Sequence, residues 1–89
     1  MDWALLIQMV VDLIMECIEK NRTRAEVETG LRNPGALETY ALRKVLKEQF
    51  GLKGRELRLA VREGIDVLKG MSPEDVARLC DEAEENLAA

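Results

Sequence analysis

WALLIQMVVDLIMECI, residues 3–18, is the stretch that decides how this chain folds. Thirteen of its sixteen residues are apolar, and the exceptions, Gln8, Asp12 and Glu16, are spaced by four. Positions four apart form one narrow ridge on a helix, and Glu19 continues it. Around the rest of the circumference run Trp3, Leu5, Leu6, Ile7, Met9, Val10, Val11, Leu13, Ile14, Met15, Cys17 and Ile18. A surface helix buries one apolar stripe, whereas a helix that is apolar nearly all round must be covered from several sides. The expectation is a central helix wrapped by the others, with a second copy of the chain covering what they leave open. Trp3, Ile7, Met9, Ile14 and Ile18 are the residues expected at that homodimer interface.

A membrane or export role for the same stretch fits poorly. A signal peptide begins with a positive region, and this chain begins Met1-Asp2. Sixteen helical residues span about 24 Å against a hydrocarbon core of about 30 Å. Asp12 near the middle adds a cost of about 2.5–3.5 kcal/mol on the insertion scale. The reading is a core or interface helix with no membrane partner.

Downstream, helix signals recur at short intervals. The first helix is expected over residues 2–20, with Asn21-Arg22 ending it. Thr23-Arg24-Ala25-Glu26 matches a capping box and opens a short helix to residue 31, with Val27 and Leu31 inward. Asn33-Pro34 reads as an N-cap followed by proline at the first helical position, starting a third helix over 34–50. Its expected apolar arc is Leu37, Ala41, Leu42, Val45 and Leu46, with Gly51 as the stop. A fourth helix over 54–69 turns Leu57, Ala60, Val61, Gly64 and Leu68 inward. Gly64 there costs about 1 kcal/mol against alanine, which implies close approach of another helix. Ser72-Pro73-Glu74-Asp75 repeats the start signal and opens a fifth helix to residue 87. Its inner stripe is Val76, Leu79, Cys80, Ala83 and Leu87. The fold class is all-α: a small bundle of four main helices plus one short helix, in a single domain of 89 residues.

Composition excludes more chemistry than it suggests. With 47% hydrophobic and 34% charged residues the chain is globular, and with three aromatics its core is aliphatic. There is no histidine, which removes the commonest general base and metal ligand. Asp12, Glu16 and Glu19 share a ridge, but bundle metal sites of this kind add Glu-x-x-His pairs. The ridge reads as a solvent-facing edge, as do the acids Asp81, Glu82, Glu84 and Glu85. Ser72 is a cap and has no base beside it. No cofactor and no small-molecule substrate is implied. Cys17 and Cys80 each fall on an apolar helix face and read as buried free thiols in a reducing, cytoplasmic compartment.

Charge is segregated: residues 1–31 carry a net −3, residues 32–69 a net +4 and residues 70–89 a net −5. Arg43, Lys44 and Lys47 on one helix and Arg55, Arg58 and Arg62 on the next form the alternative reading, a nucleic-acid contact. Against it stand the overall charge of −4 and the scarcity of aromatics to stack on bases. Residues 23–44 also have a helix-turn-helix outline. The early residues of the second helix, Pro34 to Thr39, lack any Arg, Lys, Asn or Gln to read base edges. The favoured function is a non-enzymatic protein–protein interaction or assembly module, whose partner is itself or another protein.

Overall fold

The computed structural model describes the backbone of residues 3–89 and the side chains of residues 4–89. Five helices follow in order: α1 (Trp3–Glu19), α2 (Arg24–Arg32), α3 (Ala36–Glu48), α4 (Gly54–Gly70) and α5 (Pro73–Ala88). No strand occurs among the described residues. The fold is the expected all-α bundle, measuring 32 × 26 × 24 Å.

α1 lies at the centre and packs against α5, α3 and α2, while α4 closes over α3 and α2. Met9, Val10, Val11, Leu13, Ile14 and Cys17 are buried, and Leu6, Ile7, Met15 and Ile18 pack half-buried against them. This corrects the expected interface. Met9 is 1% exposed and Ile14 is fully buried within one chain, so neither is open to a second copy. The physical reason is that α5, α3 and α2 all pack on α1 and that Met9 also reaches Gly64 of α4, so the other helices cover these positions without a second copy. Ile7 and Ile18 keep part of their surface. The side chain of Trp3 lies outside the described residues.

Local caps hold at the end of α1 and at the starts of α2 and α5. Asn21 ends α1 in the left-handed conformation at φ 64°, with its amide donating to the Ile18 carbonyl. The capping box of α2 is complete: the Glu26 amide donates to Thr23 Oγ1 at 3.2 Å, and the Thr23 amide donates to Glu26 Oε1 at 3.1 Å. Ser72 Oγ accepts from the Asp75 amide at 3.1 Å with Pro73 at the first position of α5. α3 ends at Glu48, two residues short of the expected end, and Gly51, at φ 69°, turns the chain beyond it, where the Leu52 amide returns to the Leu46 carbonyl.

Asn33-Pro34 departs from its reading. The Asn33 amide donates to the Thr29 carbonyl and so closes α2 instead of opening α3. α3 begins two residues later, at Ala36, with Gly35 as its N-cap. Glu38 supplies the capping side chain, its Oε1 accepting from the Gly35 amide at 2.9 Å. That turns Glu38 inward and rolls Leu37 out. Leu37, expected in the apolar arc, is 67% exposed, whereas Ala41, Leu42, Val45 and Leu46 are buried as read.

In α4, Leu57, Ala60, Gly64 and Leu68 are buried. A Cβ at Gly64 would stand 2.8 Å from Leu42 Cδ2 of α3 and 3.3 Å from Met9 Cε of α1. The close approach expected there is therefore made by side chains that fill the missing Cβ, not by a neighbouring backbone.

Candidate interaction surface

Ion pairs first account for the charges that the bundle consumes. Glu16 accepts from Lys44 Nζ at 2.7 Å, tying α3 to α1, and stands 3.8 Å from Lys20. Gln8 donates to Asp12 at 2.8 Å. The polar ridge of α1 is thus partly an attachment line for α3 and not only a wetted edge. Arg24 donates to Glu28 at 2.9 Å, to Asp81 at 2.6 Å, to Glu84 at 3.0 Å and to the Ala77 carbonyl at 3.1 Å. Asp81 and Glu84, read as a solvated face, therefore fasten α5 to α2. These partners, Glu28 first, hold the Arg24 guanidinium well above its usual pKa.

The most buried charge among the described residues is Glu38. Its Oε2 accepts from Arg22 Nη1 at 2.7 Å, across sixteen residues. Burial pushes the Glu38 carboxyl up, but the Gly35 amide and the Arg22 guanidinium outweigh it and leave the carboxyl below its ordinary range. Arg22 also reaches Cys17 Sγ at 3.6 Å and the Glu26 carbonyl at 3.4 Å. A Cβ at Gly30 would overlap the Glu38 carboxylate, so the glycine makes the room for it. Cys17 and Cys80 are free and buried. Burial raises both thiols, Cys80 to about 11, which makes them poor nucleophiles at neutral pH. Among the described residues no cluster of Cys, Asp or Glu is placed to hold a metal ion.

The two most exposed large apolar side chains lie together. Leu37 and Tyr40 stand one turn apart on α3, 67% and 66% exposed. They flank a shallow groove floored by Cys17 and Ala41 and edged by Glu16, Lys20 and Arg22. On its other side Tyr40 borders a second groove with Arg43, Lys44, Lys47 and Glu48. Tyr40 is therefore a ridge between two grooves lined by five basic and two acidic side chains. Sequence reasoning missed this pair, because Leu37 fits the apolar arc by spacing. The available signal was the rivalry between Leu37 and its neighbour Glu38 for the inward position.

A separate apolar groove lies between the first half of α1, the end of α4 and the start of α5. Leu6, Ile7, Val10, Val67, Met71 and Leu79 line it, and Asp75, Arg78 and Glu82 form its rim. Its volume is about 160 Å³. Of the residues expected at a dimer interface, Ile7 lies here, and Met9 lines a different groove with Leu5, Leu46, Phe50 and Leu52.

Of the basic residues read as an alternative nucleic-acid contact, Lys44 is spent on Glu16. Arg43, Lys47, Arg55, Arg58 and Arg62 are exposed, and none forms an ion pair among the described residues. Arg43, Lys44 and Lys47 share a groove whose lining includes none of the three arginines of α4. No helix among the described residues is long and apolar enough to cross a membrane. The chain matches no family model, no curated protein and no solved structure.

Proposed function

We propose that this chain is a non-enzymatic protein–protein interaction or assembly module that associates with copies of itself. The observation that carries the reading is the Leu37–Tyr40 pair: two large side chains, each about two-thirds exposed, on a helix whose other large aliphatic residues are buried. Interfaces are anchored by few residues, and tyrosine is enriched among them. Leu5 and Leu59, each about half exposed, extend the uncovered apolar surface elsewhere. The two buried free thiols support a reducing, cytoplasmic setting. Sedimentation equilibrium from low micromolar to millimolar concentration tests the reading. Average mass is expected to rise with concentration, and a single 10.0 kDa species throughout overturns self-association.

The unpaired Arg43, Lys47, Arg55, Arg58 and Arg62 support a second reading, binding to nucleic acid. The net charge of −4 and the aliphatic character of Leu37 weigh against it. Titration with mixed duplex and single-stranded DNA at low salt tests it. Micromolar affinity that falls steeply with added salt would favour this reading over the first.

A further inference from the structure

We propose that the self-association is head-to-tail, with Tyr40 of one copy seated in the α1–α4–α5 groove of the next. This rests on the self-association reading and adds to it the two surfaces that meet. Three observations converge on the pairing. The groove holds about 160 Å³ lined by aliphatic and methionine side chains, and an apolar cavity of about 150 Å³ accepts a benzene ring. It is therefore sized for one aromatic side chain, and Tyr40 is the exposed aromatic on α3.

Charge selects the same arrangement. With Lys44 and Lys20 beside Glu16 and Arg22 paired to Glu38, the grooves beside Tyr40 keep Arg43 and Lys47 against Glu48. On the rim of the apolar groove Arg78 pairs with Asp75, which leaves Glu82 as the unpaired rim charge. Bringing two Tyr40 faces together about a two-fold axis would crowd two copies of Arg43 and Lys47 into one interface. Like charges placed together oppose that pairing, whereas a basic face against an acidic rim is attractive.

Topology separates the two surfaces. Tyr40 is on α3, which packs on α1 and α4, while the rim is on α5, which packs on α1 and α2. The groove lies against the first half of α1 and Tyr40 against its last turns, so the two surfaces stand at opposite ends of the central helix, and a contact between one Tyr40 and one groove leaves a free Tyr40 at one end of the pair and a free groove at the other. Such heterologous contacts generate rings or open chains.

The test uses the full chain and two variants, each checked for folding by circular dichroism. Tyr40→Glu removes the ridge and keeps the groove. Val67→Arg blocks the groove and keeps the ridge. If Val67→Arg does not fold, Glu82→Arg on the exposed rim takes its place. Each variant alone is expected to weaken association at least tenfold relative to the wild-type chain, with the wild-type association itself weakened by salt. Mixing Tyr40→Glu with the groove variant should restore one contact per pair and stop at a dimer, where the wild-type chain grows further. Association unchanged in Tyr40→Glu, or folded variants that do not pair on mixing, overturns the head-to-tail contact and leaves self-association standing. A wild-type chain that stays monomeric at millimolar concentration overturns both.

Discussion

Arg22 and Arg24 stand two residues apart at the same corner, and the fold uses them in opposite ways. Arg22 turns inward to Glu38, whose side chain is 7% exposed. Arg24 turns outward to Asp81 and Glu84, which are 62% and 46% exposed. Both pairings join α2 or its approach to a distant helix at similar distances. The difference lies in what surrounds them. A pair removed from water leaves an uncompensated charge when one partner is lost, whereas exposed pairs are screened and individually weak. Distance alone says little about which contact the fold depends on.

That contrast is sharpest in Glu38→Ala. Loss of one partner from a buried pair costs about 3–5 kcal/mol, and with Arg22 partly open the expected loss is at the lower end, about 3 kcal/mol. The change also strips the cap from the Gly35 amide. Urea denaturation reads it, and a loss no larger than that of Arg24→Ala would break the comparison.

Next in size is Glu38→Gln, which keeps an acceptor for Gly35 but removes the charge facing Arg22. The expected loss is about 1 kcal/mol, the difference between a charged and a neutral hydrogen bond. It carries a pH signature. The folded carboxyl titrates below its unfolded value, so its stabilisation is fully present above the unfolded value of about 4.3 and is lost as pH falls through the folded one. The wild-type chain should lose stability over that acid range more steeply than Glu38→Gln. Parallel curves would show that Glu38 gains nothing from its ionised form.

The smallest effect is expected from Arg24→Ala, because its partners are open to water. The loss should be minor at low salt and should shrink towards zero in molar salt, where screening acts within a few ångströms. The effect of Glu38→Ala should persist there. Thermal melts of both variants at low and high salt compare the two directly, and equal salt sensitivity would erase the distinction between inner and outer arginine.

Much of the fold was legible because the signals are local. Thr23 with Glu26 and Ser72 with Pro73 act across three residues, so their spacing alone carries the geometry. The same locality misled at Asn33-Pro34. A good cap residue can serve the end of one helix or the start of the next, and the Asn33 amide was taken by α2. Leu37 shows the same limit. Periodicity allows either Leu37 or Glu38 at the edge of the inner arc, and the choice depends on Arg22, which arrives from sixteen residues away. The candidate surface was therefore less legible than the core.

The sequence by itself determined that this is a bundle of five helices around residues 3–18. An apolar circumference, repeated 3.6-residue spacing and caps are properties of consecutive residues. Only the tertiary structure decided how much of that circumference the other helices cover, which buried Met9 and Ile14 and left Leu37 and Tyr40 outside. It also decided which arginine goes inside. Coverage and pairing depend on the relative placement of helices, and that placement is settled by the sum of many distant contacts that no short stretch of sequence contains.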